Sequence, residues 1–193
     1  MTVIRQDTIA SANWSELVES AITLRHDLHR HPELPWQEQR TAGVIRQRLS
    51  AADIVWRPCA GTGTVATLAG GAAGVPIALR ADIDALPIVE ATAAPHTSIH
   101  DGCMHACGHD AHTAMLLGAA QVLFNHRKHL KGSIKLIFQP AEEGGGGAKL
   151  IIDAGHFKNV EAIFGIHVWS PLPSGVIGIR KGPVFASSDR FKI

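Results

Sequence analysis

The stretch GCMHACGHDAHTAM, residues 102–115, places Cys103, His105, Cys107, His109 and His112 just ahead of an apolar run. Thiolate and imidazole are the donors that borderline divalent metals select. Cys107 and His109 are two positions apart, a spacing that on a regular helix sends side chains to nearly opposite sides. A shared ion therefore requires irregular backbone between them, which Gly108 permits. The next helix starts near Asp110, so the pair sits just before a helix N-terminus, where the dipole favours thiolate over thiol. The stretch lacks the paired C-x-x-C spacing of a structural zinc knuckle. On spacing alone, small core cysteines with incidental histidines remain an open alternative.

Three further groups could join this chemistry. Glu142 and Glu143 follow the apolar run IKLIFQP and precede four glycines, so two like charges are held side by side at a strand end. On extended backbone their side chains diverge, which lets one bind a cation while the other faces a water as general base. An isolated Glu-Glu pair is otherwise an ordinary solvated loop. His167 closes the apolar stretch AIFGIHVW, where a lone histidine is more often a satisfied core residue than a ligand. Asp82 and Asp84 end the stretch LRADIDALP, where a turn could expose them or they could orient a histidine.

The elements that must position these groups show in the periodicity. Residues 14–31 carry Leu17, Val18, Ala21, Leu24 and Leu28 at helical spacing until Pro32 and Pro35 stop the pattern. A second helix over 36–52 places Ala42, Ile45 and Leu49 on one face. Apolar or β-branched runs bounded by Gly and Pro predict strands at 63–70, 75–83, 132–140, 160–168 and 175–182. Helical segments at 112–127 and 145–155 separate several of them, and the first two strands read as a hairpin with a Gly-rich loop. Strands alternating with helices predict an α/β fold with a mixed, mainly parallel sheet flanked by helices. Open sheets of this kind gather ligands at the carboxyl ends of their strands. Asp82/Asp84, Glu142/Glu143 and His167 all fall at such ends, so convergence on one crevice with Cys107 and His109 is the economical expectation. A mixed sulfur, nitrogen and oxygen site with a spare carboxylate points to hydrolysis rather than to a closed structural site.

Bulk properties narrow the class. The 193 residues carry 18 Lys+Arg against 17 Asp+Glu, a net charge of +1, without the basic stripe of a nucleic-acid binder or the polybasic face of a membrane-surface protein. Small molecules are the expected partners. The three cysteines, Cys59, Cys103 and Cys107, cannot all pair within one chain, which fits a reducing, cytoplasmic setting. The N-terminal MTVIRQDTIASANW lacks an apolar signal core, and no apolar run approaches the ~18 residues of a membrane span.

Six ordered stretches carry a resemblance: LRHDLHRHPEL, LRADIDALPI, MHACGHDAHTAMLLGAA, FQPAEEGGGGAKLII, GIHVW and GPVFASSDRFKI. In these the chain resembles the metal-dependent amidohydrolases and peptidases that include hippurate hydrolase, N-acyl-amino-acid amidohydrolases and hydrolases of indoleacetyl-amino acids. The resemblance implies a zinc-peptidase-like catalytic domain in which Cys107, His109, Glu143 and His167 bind metal. It makes Glu142 the general base and Asp84 a supporting carboxylate in the catalytic machinery. Two divalent ions, zinc or manganese, are implied, with Cys107 the candidate bridge between them. The implied activity is hydrolysis of the amide bond of N-acyl amino acids or similar small amides. The implied division is residues 1–186 for the N-terminal part of the catalytic domain and 187–193 for the start of a lid and dimerisation domain.

Such relatives run to about twice this length and are homodimers through that lid, which is absent here, so the catalytic domain is expected to be incomplete. A non-catalytic metal-binding fragment is the alternative. A thiol enzyme built on Cys107 with a histidine base is a third possibility, which leaves the Glu-Glu pair and His167 without roles.

Overall fold

The computed structural model describes residues 14–184. Its sheet contains five strands, β1 (Trp56–Cys59), β2 (Gly63–Ala69), β3 (Ile77–Asp82), β4 (Ser133–Gln139) and β5 (Ala162–Gly165), in the order β1-β2-β4-β3-β5. The helices are α1 (Trp14–Arg30), α2 (Gln39–Ala51), α3 (His109–Asn125) and α4 (Gly147–Asp153).

Alternation along the strands sorts the core into two layers. From β4, Ile134, Leu136 and Phe138 join Leu24, Leu28, Ile45, Leu49, Ala114 and Leu117 of α1, α2 and α3 on one face. Ile137, one step out of phase, joins Val65, Ala78 and Ile151 of α4 on the other. Of the apolar positions predicted on α1, Leu24 and Leu28 are buried, whereas Val18 is half exposed.

The sheet is mixed, as expected, with the two pairing types equally represented. β1-β2 and β2-β4 are antiparallel, while β4-β3 and β3-β5 are parallel. The anticipated hairpin between 63–70 and 75–83 does not form. β2 instead pairs with β1, and β4 inserts between β2 and β3. The Gly-rich segment 70–76 runs against the backbone entering β4, where Gly70 N–H donates to the Gly132 carbonyl. A Cβ on Gly71 would stand 2.1 Å from the Lys128 carbonyl oxygen, so the glycines serve a close chain crossing rather than a loose turn. Residues 176–180 are not a strand either. Ile177 and Ile179 are almost fully exposed, and no described strand offers them a ladder. The expected boundary at residue 187 lies outside the described residues.

The chain passes from β3 through α3 to β4, then through α4 back past β3 to β5. The connection leaving β3 thus crosses one face of the sheet and the one leaving β4 crosses the other, so the C-terminal ends of these neighbours flank the place where open α/β sheets form a crevice. α3 is pinned there by buried charge. Arg25 Nε donates to Asp110 Oδ2 at 2.8 Å, and His29 Nδ1 lies 2.8 Å from the same oxygen. His29 Nε2 lies 3.2 Å from Glu90, tying in the 88–100 loop. The start of α2 is fixed by Glu33, whose two carboxylate oxygens accept from Arg40 N–H and Thr41 N–H at 2.9 and 2.7 Å.

Phe138 is completely buried at the centre of the helical layer. Phe138→Ala is therefore expected to cost about 3–5 kcal/mol of unfolding free energy. Urea titration with an unchanged slope checks this; a loss below about 1 kcal/mol would mean that the site collapses without a cavity.

Candidate metal centre

Parallel β3, β4 and β5 end on the same side of the sheet, and their registers bring the loops that follow into contact. Asp82 is level with Gln139, so the turn after β3 lies beside the turn that carries Glu142 and Glu143. Asp84 joins the two: its Oδ2 accepts from Glu143 N–H at 2.9 Å. Ala141, just before the pair, has φ +48, a left-handed conformation that costs an ordinary residue energy. It is held by Glu38, a fully buried carboxylate that accepts Ala141 N–H at 2.9 Å on Oε1 and the Thr62 hydroxyl at 2.5 Å on Oε2.

Cys107 sits in a bend ahead of α3, and Gly108, at φ +86, supplies the irregular backbone. Any other residue would be strained at this φ and would displace the Val168 side chain, because a Cβ would lie 2.3 Å from its Cγ2. This seats the segment after β5 on the start of α3 and leaves His167 Nε2 3.4 Å from Cys107 Sγ.

His109 lies at the centre, with no exposed surface. Its Nε2 is 3.6 Å from Asp82, 3.8 Å from Glu143 and 4.0 Å from Glu142, and its Nδ1 is 3.3 Å from Asp84. Neither ring nitrogen makes an aligned hydrogen bond, and Glu143 Oε1 and Asp84 Oδ1 are likewise buried without one. Two groups of donor atoms each lie within 4.8 Å of one another: Cys107 with His109 and His167, and His109 with Glu142 and Glu143. A tetrahedral zinc ion with bonds of about 2.0–2.3 Å holds its ligands roughly 3.3–3.8 Å apart, which matches the 3.4 and 3.8 Å separations. Orphaned buried donors of this kind and spacing fit a divalent cation.

A third trio of candidate donors, Asp82, His109 and His112, is excluded by bonding. His112 Nδ1 is 2.6 Å from Asp82 Oδ1, and its Nε2 accepts from Val168 N–H at 2.9 Å, so no lone pair is left for an ion.

The titrating groups record the crowding. Burial raises the Cys107 thiol, and Glu143, Asp82 and Glu142 add to it, pushing it up to about 12. The helix N-terminus was expected to favour thiolate, but its partial charge is outweighed by burial and three carboxylates. Burial and Glu143 also raise Glu142. Burial opposes protonation of His109, yet Asp84, Asp82 and Glu143 raise it. Asp82 and Asp84 are held below the usual carboxylate range despite burial, Asp82 by His112, His109 and Arg80, and Asp84 by His109 and the backbone N–H groups of Glu143 and Glu142.

The six residues given site roles thus lie together, Cys107, His109, Glu143 and His167 with Glu142 and Asp84 beside them, and Asp82 also faces His109, whereas Cys103 and His105 join no donor group among the described residues. The parts of His112 and Glu38 were missed. For His112 a signal existed, since positions i and i+3 on a helix share a face with His109.

Fold and site together define an open α/β domain with a mixed-donor candidate metal centre. The chain belongs to peptidase family M20/M25/M40, which it matches over residues 78–188. It is 47% identical over 182 residues to N-acetyl-L-cysteine deacetylase of Bacillus subtilis (strain 168), covering 94% of this chain and 44% of that protein. It is 45% identical over 186 residues to IAA-amino acid hydrolase ILR1-like 4 of Arabidopsis thaliana, covering 96% and 42%. Among solved structures it is similar to the YXEP protein of Bacillus subtilis, described as a dinuclear metal binding peptidase from M20 family. The TM-score is 0.85 at 46% identity, over 88% of this chain and 48% of that one. The chain spans under half the length of these relatives. No described helix is long and apolar enough to cross a membrane.

Cys107 keeps its proton at neutrality and His109 holds one to higher pH than a free imidazole, so each proton competes with a cation for its lone pair. Zinc affinity should rise at least about tenfold per pH unit between pH 6 and 8, one proton or more leaving per ion. Calorimetry in buffers of different ionisation enthalpy reads this; an affinity independent of pH would contradict the donor set.

Proposed function

We propose that this chain is the ion-binding part of a hydrolase that cleaves the amide bond of N-acyl amino acids or similar small amides. The observation that supports it most is the meeting, at two strand ends and one helix start, of four metal-type donors with a fifth group, Glu142, left over for proton transfer. The relatives' names, a deacetylase of an N-acetyl amino acid and a hydrolase of an amino acid conjugate, support the substrate class.

In this reading Cys107, His109, Glu143 and His167 would hold two divalent ions, zinc or manganese. When bound, the pair supplies an acidified water and a polarised amide carbonyl. The chain's own residues do the rest. Asp84 fixes the Glu143 backbone and faces His109 Nδ1. Glu142, 41% exposed at its side chain and raised by burial and Glu143, accepts a proton from the attacking water and returns it to the departing amine nitrogen. Residues 1–186 form this part of the catalytic domain.

The 3.4 Å contact of Cys107 with His167 is also what a thiol nucleophile would use. A thiol pushed up to about 12 is the opposite of an activated one, and that chemistry gives the buried His109 and Glu143 nothing to do.

The test is amide hydrolysis of N-acetyl and N-benzoyl amino acids by the zinc- or manganese-loaded chain, alone and mixed with the polypeptide matching the rest of a relative. Glu142→Gln should lower turnover about 10²–10⁴-fold while the metal content is unchanged. Stoichiometric metal without turnover in either setting would leave a metal-binding fragment, and turnover indifferent to chelators but lost on alkylation would favour the thiol enzyme.

A further inference from the structure

His112 is almost fully buried, has no lone pair free for an ion, and has no part in the proposed proton transfer. Its two ring nitrogens are nevertheless committed in a defined order. The Val168 N–H can only donate to Nε2, so Nδ1 carries the proton, facing Asp82 Oδ1 at 2.6 Å, while the other carboxylate oxygen accepts from Arg80 Nη1 at 2.7 Å. Nε2 is then a bare lone pair and accepts Val168 N–H at 2.9 Å.

Val168 is the residue through which His167 is set. The Val168 carbonyl accepts from His167 Nδ1 at 2.6 Å, which fixes the His167 tautomer and turns its Nε2 toward Cys107 Sγ. The His112 and His167 rings meet edge to face at 4.5 Å between centroids. The segment holding His167 is otherwise exposed and lies beyond the end of β5. Its neighbour's side chain rests on the bare Cα of Gly108.

We infer that His112, held as the Nδ1–H tautomer by Asp82, is a positioning residue that clamps the Val168 amide and thereby places the His167 imidazole against Cys107. The inference rests on the proposed ion site and adds to it a residue that touches neither ion nor substrate. It requires an acceptor at the position of Nε2, not a histidine as such. A glutamine there offers a carbonyl oxygen to the same N–H, whereas an alanine offers nothing.

Cobalt(II) titration of the chain reads the clamp directly, because the thiolate-to-cobalt absorption band reports Cys107 and the weaker visible bands report coordination. His112→Ala should bind cobalt about 10–100-fold more weakly, with the thiolate band kept, and His112→Gln should recover most of that loss. Leu117→Ala, in the core on the same helix, controls for lost stability and should bind as the unaltered chain does. Should the variants fold poorly, the two-bond nitrogen–nitrogen coupling from the Val168 amide to His112 Nε2 is measurable in the unaltered protein and must be present.

His112→Ala binding as tightly as the unaltered chain, equal losses in His112→Ala and His112→Gln, or absence of that coupling would overturn the clamp. Failure of the underlying reading looks different: the unaltered chain then shows no stoichiometric cobalt and no thiolate band, and Cys107→Ser and His167→Ala change nothing.

Discussion

One buried imidazole surrounded by carboxylates is the constraint on which this structure turns. His109 has no exposed surface and no aligned hydrogen bond, and Asp82, Asp84, Glu142 and Glu143 all approach it within 4 Å. Like charges this close in a poorly solvated pocket repel strongly, and desolvation penalises each ionised form. A protonated His109 offsets part of that repulsion, and a divalent cation offsets far more while also satisfying the orphaned donors. The surrounding architecture can be understood as the means of holding these repelling groups together.

The means are mostly carboxylates that accept N–H groups from other loops. Asp84 holds the Glu143 backbone, Glu38 holds strained Ala141, and Asp82 acts through His112 on Val168. Each joins segments far apart in sequence, and each is almost fully buried, where a charge-assisted hydrogen bond is strong and its loss expensive. The parallel registers of β3, β4 and β5 set the coarse approach of the loops, and these contacts set the fine one.

Much of this is legible in the sequence, and what is not has physical causes. Donor type, with a place at a strand end or before a helix, marks Cys107, His109, the Glu142–Glu143 pair and His167 as candidates, but their division into ligands and base comes from the resemblance and not from spacing. Strand order could not: the Gly-rich segment after Ala69 looks like a hairpin turn, yet it is a crossing beneath the entry to β4, a relation carried by residues some sixty positions away. The stretch 176–180 has strand composition but no partner among the described strands. The Cys107 thiol was expected to be lowered by a helix end, a local effect, and is raised by carboxylates that only the fold assembles. The roles of His112 and Glu38 depend on the fold in the same way, since their partners lie 56 and 103 positions away.

X-ray absorption at the zinc edge of the zinc-loaded chain tests the central claim most directly, because it counts the atoms around the ion whatever the activity. The account predicts sulfur at about 2.3 Å together with nitrogen and oxygen at about 2.0–2.1 Å, the sulfur vanishing in Cys107→Ser. A first coordination sphere of nitrogen and oxygen alone in the unaltered chain would contradict it.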